Sequence, residues 1–249
     1  MLPPVAIPSY GRSHLLYRKT LRYLRDSGYP RELITIFVAT KEEQEAYRRA
    51  TPELLYGSIV VGVKGLAEQR NFISEYYPEG SYIFQMDDDV CGHVGGIRLL
   101  ELVEWGVKLL EEQGAGLFSI LPNSDTRRIK NDYTLHLTHC IGSWFILKNH
   151  REFQCVQTEM EDYLRSIWYF KKYGKVIRFR GAGVKTSYGK TEGGLQQPGR
   201  IQRIQESCEL LSNTFPEFCK MIYKNGRPDL KLNWRAVSKC YSNISGKSK

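Results

Sequence analysis

The chain has 249 residues, 41% of them apolar and 25% charged, a globular balance that excludes a disordered or fibrous protein. That length buries a core without disulfide or metal staples, and no run of eighteen apolar residues offers a membrane span. The formal charge of +9 is unevenly placed. Residues 1–150 hold 17 Lys and Arg against 18 Asp and Glu, and residues 151–249 hold 19 against 9, so the halves carry −1 and +10. A basic half joined to a neutral one points to a polyanionic partner.

The segment from Met1 to Ser9 has no cationic stretch before its apolar run and no small-residue cleavage site after it, unlike a secretion signal. Six cysteines, at 91, 140, 155, 208, 219 and 240, form no CxxC pair and show no zinc-like spacing. They read as reduced thiols in a cytoplasmic protein, used as small core residues.

Val5-Ala6-Ile7 is a short buried strand ending at Pro8-Ser9. Ser13 is placed to cap a helix that turns Leu15, Leu16, Leu21 and Leu24 inward and stops near Gly28. Leu33 to Ala39 is a β-branched and aromatic run, hence a second strand, and Thr40 before Lys41-Glu42-Glu43 starts a helix like a capping box. A third strand covers Ser58 to Val63, a helix Glu68 to Tyr76, and a fourth strand Tyr82 to Met86, which runs straight into Asp87-Asp88-Asp89. A long amphipathic helix over Gly96 to Gln113 and a strand over Gly116 to Leu121 follow. This alternation predicts a mainly parallel sheet with helices on both faces.

The second half changes character. Thr134 to Leu147 alternates in hydropathy and predicts antiparallel strands. Glu159 to Tyr173 reads as a helix with Tyr163, Ile167 and Phe170 on one face, and Lys175 to Arg180 as a strand. Gly181 to Gly199 reads as a mobile glycine-rich loop, Arg200 to Leu211 as a helix, and the remainder as short basic elements with a disordered tail over residues 241–249.

In such sheets ligands bind beyond the carboxyl ends of the strands. Three polar clusters sit at such ends: Pro8-Ser9-Tyr10-Gly11-Arg12, Lys64-Gly65, and the Asp triplet. Three adjacent carboxylates repel one another, and a strand end tolerates them when a hard cation or several donors compensate. Mg²⁺ or Mn²⁺ shared with a diphosphate suits them. Gly65 opens a helix whose free amides favour an anion, with Arg70 on its first turns. Ser9, Tyr10 and Arg12 offer a hydroxyl, a stacking ring and a guanidinium to a nucleoside. Neither a P-loop nor a GxGxxG fingerprint occurs. Glu159-Met160-Glu161-Asp162 supplies either carboxylates that complement a helix dipole or a general base for an attacking hydroxyl. Arg180, Lys185, Lys190, Arg200 and Arg203 surround the glycine-rich loop, which is suited to closing on a diphosphate.

Together IPSYGR, GLAEQRNFI with YYPEG after it, and the strand ending in MDDD resemble the GT-A glycosyltransferases, and within them the TET-associated glycosyltransferases of bacteriophages and related elements. The likeness covers about residues 3–92. It continues loosely through IGSWF, EMED and GGLQ. It implies a GT-A (Rossmann-like) α/β fold with a basic C-terminal extension. Residues 1–125 would form the nucleotide-sugar-binding half, and residues 126–240 the acceptor-binding half and closing loop. It also implies transfer of a sugar from a UDP-sugar to a hydroxyl, that of a hydroxymethylated pyrimidine in DNA, in the host cytoplasm if the gene is viral. Asp89, with Asp87, would hold Mn²⁺ or Mg²⁺, and Asp87 would also face the ribose or the metal's waters. Pro8, Ser9, Tyr10, Arg12, Lys64, Gly65, Arg70, Asp88 and Arg200 would line the donor site, with Arg70 bracing the carboxylates or the sugar. Asp162 or Glu161 would be the base. Many GT-A members add a C-terminal histidine to the metal, whereas none follows His150 here. A glycan or protein acceptor is the alternative within the fold. A non-catalytic nucleic-acid-binding α/β protein is the alternative outside it, and the acidic triplet speaks against that one.

Overall fold

The computed structural model describes residues 1–157, 159–186 and 198–238. The glycine-rich stretch 187–197 with Lys190, and the tail expected to be disordered, lie outside the described residues. Four strands, β1 (Val5–Pro8), β2 (Ile34–Val38), β3 (Ser58–Val61) and β4 (Tyr82–Met86), run parallel in the order β3-β2-β1-β4. Their apolar runs are continuous because a parallel strand is covered on both faces.

The sheet continues into the second half. β8 (Trp144–Lys148) pairs antiparallel with β4 on one side and with β6 (Leu117–Leu121) on the other. Beyond β6 lie β9 (Ile177–Thr186), parallel to it, and then β5 (Val90–Val94), antiparallel to β9. The two-residue β7 (Tyr133–Thr134) also pairs with β9. The result is the mixed, mainly parallel sheet flanked by helices that the sequence predicts.

Strand side chains alternate between two cores. Val5, Ile7, Ile34, Ile36, Trp144 and Ile146 face one core, which contains Leu16, Leu21 and Leu24 and residues of α5 (Leu99–Gln113). Ala6, Phe37, Phe145 and Leu147 face the other core, with α4 (Leu66–Tyr76), α6 (Glu161–Tyr173) and α7 (Arg200–Thr214). A period of two along each strand therefore sorts the helices onto the two faces. A separate antiparallel ribbon, β10 (Cys219–Lys224) with β11 (Arg227–Leu232), buries Cys219 and Leu230 in the second core.

Several expectations are corrected. The first helix comprises α1 (Ser13–Leu16), a π-helical segment over Tyr17–Leu21, and α2 (Arg22–Asp26). Arg12, without a side-chain cap, precedes it, so Ser13 is the first helical residue and not the cap. The π turn accompanies a side-chain anchor: Thr20 Oγ1 donates to the Asp87 carbonyl at 2.7 Å and accepts from Val90 N at 3.1 Å. In contrast, Thr40 does cap α3 (Lys41–Ala50), accepting from Glu43 N at 3.2 Å. Of Thr134 to Leu147, only the two ends are strand. Gly181 to Thr186 belongs to β9 and not to a loop, because its backbone pairs with β5. Strand β5 escapes a hydropathy reading because Gly92 and His93 interrupt it.

Candidate functional site

The carboxyl ends of β1 and β4 lie side by side, and their loops lock together through Asp88. Ser9 Oγ donates to Asp88 Oδ2 at 2.6 Å and shares a 2.7 Å hydrogen bond with the Tyr47 hydroxyl on α3. Arg12 Nε donates to the same oxygen at 3.1 Å. Arg12 Nη2 stands 2.6 Å from Oδ1 but off the hydrogen-bonding angle, so that contact is Coulombic. Asp88 is fully buried. Burial pushes its carboxyl up to about 7 against the pull of Arg12 and Ser9. Asp88 is thus the internal post that fixes the turn.

Its neighbours point elsewhere. Asp89 is 7% exposed. No side-chain hydrogen bond or ion pair engages its carboxylate among the described residues. Burial, then the charge of Asp87, pushes it up to about 6. Asp87 is one-third exposed and meets Arg70 Nη2 at 3.0 Å.

The other predicted donor-site residues gather around this turn. Pro8 ends β1 opposite Phe37. Tyr10 is exposed, with the Lys64 ammonium 5.5 Å from its ring centroid. Gly65 precedes α4 with φ +107°, a conformation that a side chain would strain. A cavity of about 640 Å³ opens on the first helix, lined by Tyr17, Arg18, Lys19, Arg22 and Arg25. Lys19 adjoins the Thr20 hydroxyl that holds the Asp turn and lowers the pKa of Asp89 electrostatically. Four cations within eight residues were visible in the sequence, but the −1 charge of their half conceals them.

Arg70 joins the turn to the second half. Its guanidinium donates to Asp87 Oδ1, to Gln85 Oε1 at 2.8 Å, to the Gly142 carbonyl at 2.8 Å and to Glu161 Oε1 at 3.1 Å. Glu161 also pairs with Arg165, and both guanidinium groups lie over the Phe145 ring. Glu161 and Arg165 are buried, and burial, then Arg70, pushes Arg165 down to about 9. Glu161 is therefore a counter-ion inside the second core.

Asp162, one residue on, reaches partial exposure. Its Oδ2 lies 2.7 Å from His139 Nε2 and accepts from Gly142 N at 3.3 Å. Burial pushes the carboxyl up, but His139 and the backbone donors outweigh it and hold the group below its ordinary range. Tyr163 stacks on His139 with centroids 4.2 Å apart and donates to Asp229 Oδ1 at 3.0 Å. No local sequence signal marks His139, because its partner is 23 residues away and only the packing of α6 against the segment before β8 joins them.

Arg200 and Arg203 lie against buried Glu159, with Arg200 Nε at 3.2 Å and Arg203 Nη2 at 3.4 Å. Arg180 pairs with Asp132. The structure thus brings Ser9, Tyr10, Arg12, Lys64, Gly65, Arg70 and the Asp turn together, and ties Arg200 to a carboxylate instead.

Among the described residues no group of three His, Cys, Asp or Glu side chains can hold a metal alone. Mg²⁺ and Mn²⁺ do not require one when phosphate oxygens fill the shell beside one or two carboxylates. Asp89, buried and without an ion pair among the described residues, with Asp87 beside it, fits that role.

No protein-family model matches the chain. No curated protein matches it either. Its structure is similar to that of TarS 1-349 from S. aureus, with a TM-score of 0.50 and 13% identity over 87% of this chain and 72% of that one. It is similar to the mannosyltransferase PcManGT from Pyrobaculum calidifontis, solved with GDP-Man and Mn²⁺, with a TM-score of 0.52 and 16% identity over 86% of this chain and 64% of that one. It is also similar to glucosyl-3-phosphoglycerate synthase from Mycobacterium tuberculosis, solved with Mn²⁺, UDP-glucose and phosphoglyceric acid, with a TM-score of 0.52 and 11% identity over 98% and 91%. These neighbours are GT-A glycosyltransferases, and their likeness establishes that this chain has the GT-A fold.

Proposed function

We propose that the chain transfers a sugar from a nucleotide-diphosphate donor, a UDP-sugar, to a hydroxyl, using Mn²⁺ or Mg²⁺ at the Asp turn. The observation that carries this reading is the buried carboxylate of Asp89 at the end of β4, which makes no ion pair among the described residues, while Asp88 is held by Ser9 and Arg12. Two neighbours of the same fold were solved with Mn²⁺ and a nucleotide sugar, which supports it.

In this reading Ser9 and Arg12 act through Asp88, holding the turn in place. Tyr10 and Lys64 face the nucleoside. Asp89 and Asp87 hold the cation, which when bound offsets the charge that develops on the leaving diphosphate. Lys19 and Arg18, at the cationic cavity, add to the same field. Asp162 takes the proton of the acceptor hydroxyl, and His139 keeps it ionised. Arg70 fixes the spacing of the two carboxylate sites, because it binds both Asp87 and the Gly142 carbonyl while Gly142 N binds Asp162.

For the acceptor we infer a hydroxymethylated pyrimidine in DNA. The +10 charge of residues 151–249 and the resemblance to the TET-associated family support it. Incubation with plain and hydroxymethylated DNA, UDP-sugars and Mn²⁺, followed by nucleoside mass spectrometry, tests it. A hexose adduct on hydroxymethylated nucleosides alone is the expected result. Labelling of a glycan or protein acceptor, with DNA unmodified, overturns the acceptor and leaves the donor chemistry standing.

A further inference from the structure

The β10–β11 ribbon carries a charge pattern that folding disfavours. Its register sets Lys220 directly opposite Lys231, and Lys224 directly opposite Arg227. Like charges in such positions destabilise an antiparallel pair. All four side chains are exposed, and among the described residues no ion pair joins any of them to an acid. The other face of the ribbon is committed to the core through Cys219 and Leu230. The cationic face therefore looks away from that core, with Asp229 as its one acid among four cations.

That face adjoins the proposed base. Between the two cation pairs stands the pair Ile222–Asp229. Asp229 accepts from the Tyr163 hydroxyl, and Tyr163 stacks on His139, the partner of Asp162. Exposed Trp234 follows β11, with the Arg235 guanidinium 4.7 Å from its ring centroid.

The spacing selects a kind of polyanion. Four residues separate Lys220 from Lys224, about 13 Å at about 3.3 Å per residue. The major groove of B-DNA is about 12 Å wide and admits a two-stranded ribbon. A substituent at the 5-position of a pyrimidine projects into that groove. We propose that the ribbon straddles the major groove of duplex DNA, one cation pair on each backbone, and so presents the pyrimidine 5-position towards Asp162. The choice of DNA rests on the acceptor reading above.

The test measures duplex binding by fluorescence anisotropy without donor, across a salt series. The expected result for Lys220→Gln with Lys231→Gln, and for Lys224→Gln with Arg227→Gln, is a loss of about tenfold or more at low salt. Each pair should also flatten the slope of log K against log salt by about 1.8, because two phosphate contacts are lost. The Lys220→Arg, Lys231→Arg variant should bind like the parent, and hydrolysis of UDP-sugar by water should stay unchanged in every variant. Unchanged affinity and slope in both Gln variants overturn the proposal, even if the enzyme glycosylates DNA. Equal loss of binding to phosphatidylserine vesicles, with duplex binding absent from the parent, overturns it in favour of a membrane surface. Salt-dependent duplex binding through the ribbon, with no sugar transferred, upholds it while removing the catalytic reading.

Discussion

His139 Nε2 lies 2.7 Å from Asp162 Oδ2, and this pair sets the charge of the proposed base. Burial alone would keep Asp162 protonated at higher pH, and His139 reverses that. Removing the imidazole in His139→Ala should therefore raise the carboxyl pKa. The acid limb of the kcat profile should move to higher pH, because the carboxylate then protonates earlier as pH falls. A pH–rate profile on the parent and this variant checks the shift, and an unmoved limb removes Asp162 from the role of base.

Asp162→Asn should lower kcat by about 10²–10⁴-fold, the usual scale of general-base assistance. Binding of UDP with Mn²⁺ should be unchanged, since the role proposed for the residue is on the acceptor side only. Steady-state kinetics beside nucleotide titration separates the two effects.

Glu161 is expected to matter for folding. Glu161→Gln leaves Arg70 and Arg165 facing each other in the core without their shared carboxylate. Breaking a buried pair in this way costs about 3–5 kcal/mol. At about 2–4 °C per kcal/mol the melting temperature should fall by about 6 °C or more. Equal melting curves for variant and parent would show that the ion-pair cluster contributes no stability.

Asp88 and Asp89 link stability to pH without added cation. Both carboxyls sit above their unfolded range, at about 7 and about 6. The folded state then binds more protons than the unfolded one between about pH 4 and 7, so stability falls as pH rises through that window. In EDTA the melting temperature should drop between pH 5 and 8 by about 10 °C, because the two carboxyls together remove about 4 kcal/mol over that range at about 2–4 °C per kcal/mol. Asp89→Asn should flatten the drop and raise the melting temperature at pH 8. Differential scanning fluorimetry reads both.

Much of this was legible in the chain. The apolar runs at Val5, Ile34, Ser58 and Tyr82 named the four parallel strands, and the acidic triplet marked where the fourth one ends. Thr40 and Glu43 announced α3, because capping is a local matter. What escaped depends on packing. Strand β5 exists because β9 offers it an edge, and the long stretch before Trp144 stays irregular although it alternates. The roles of the three carboxylates could not be divided by composition: Asp88 is buried against Ser9 and Arg12, whereas Asp89 makes no ion pair among the described residues. Likewise Glu161 and Asp162 are adjacent in sequence, yet helix geometry turns one into the core and the other towards His139.

The central claim is that the Asp turn holds a divalent cation together with a nucleotide diphosphate. Isothermal titration of UDP into the protein, with Mn²⁺ and with EDTA, measures it directly on the parent and on Asp89→Asn. The account predicts UDP binding that requires Mn²⁺ in the parent and is lost in the variant at the same Mn²⁺ concentration. Binding of UDP that is equally tight in EDTA, or Mn²⁺-dependent binding that survives Asp89→Asn, would contradict it.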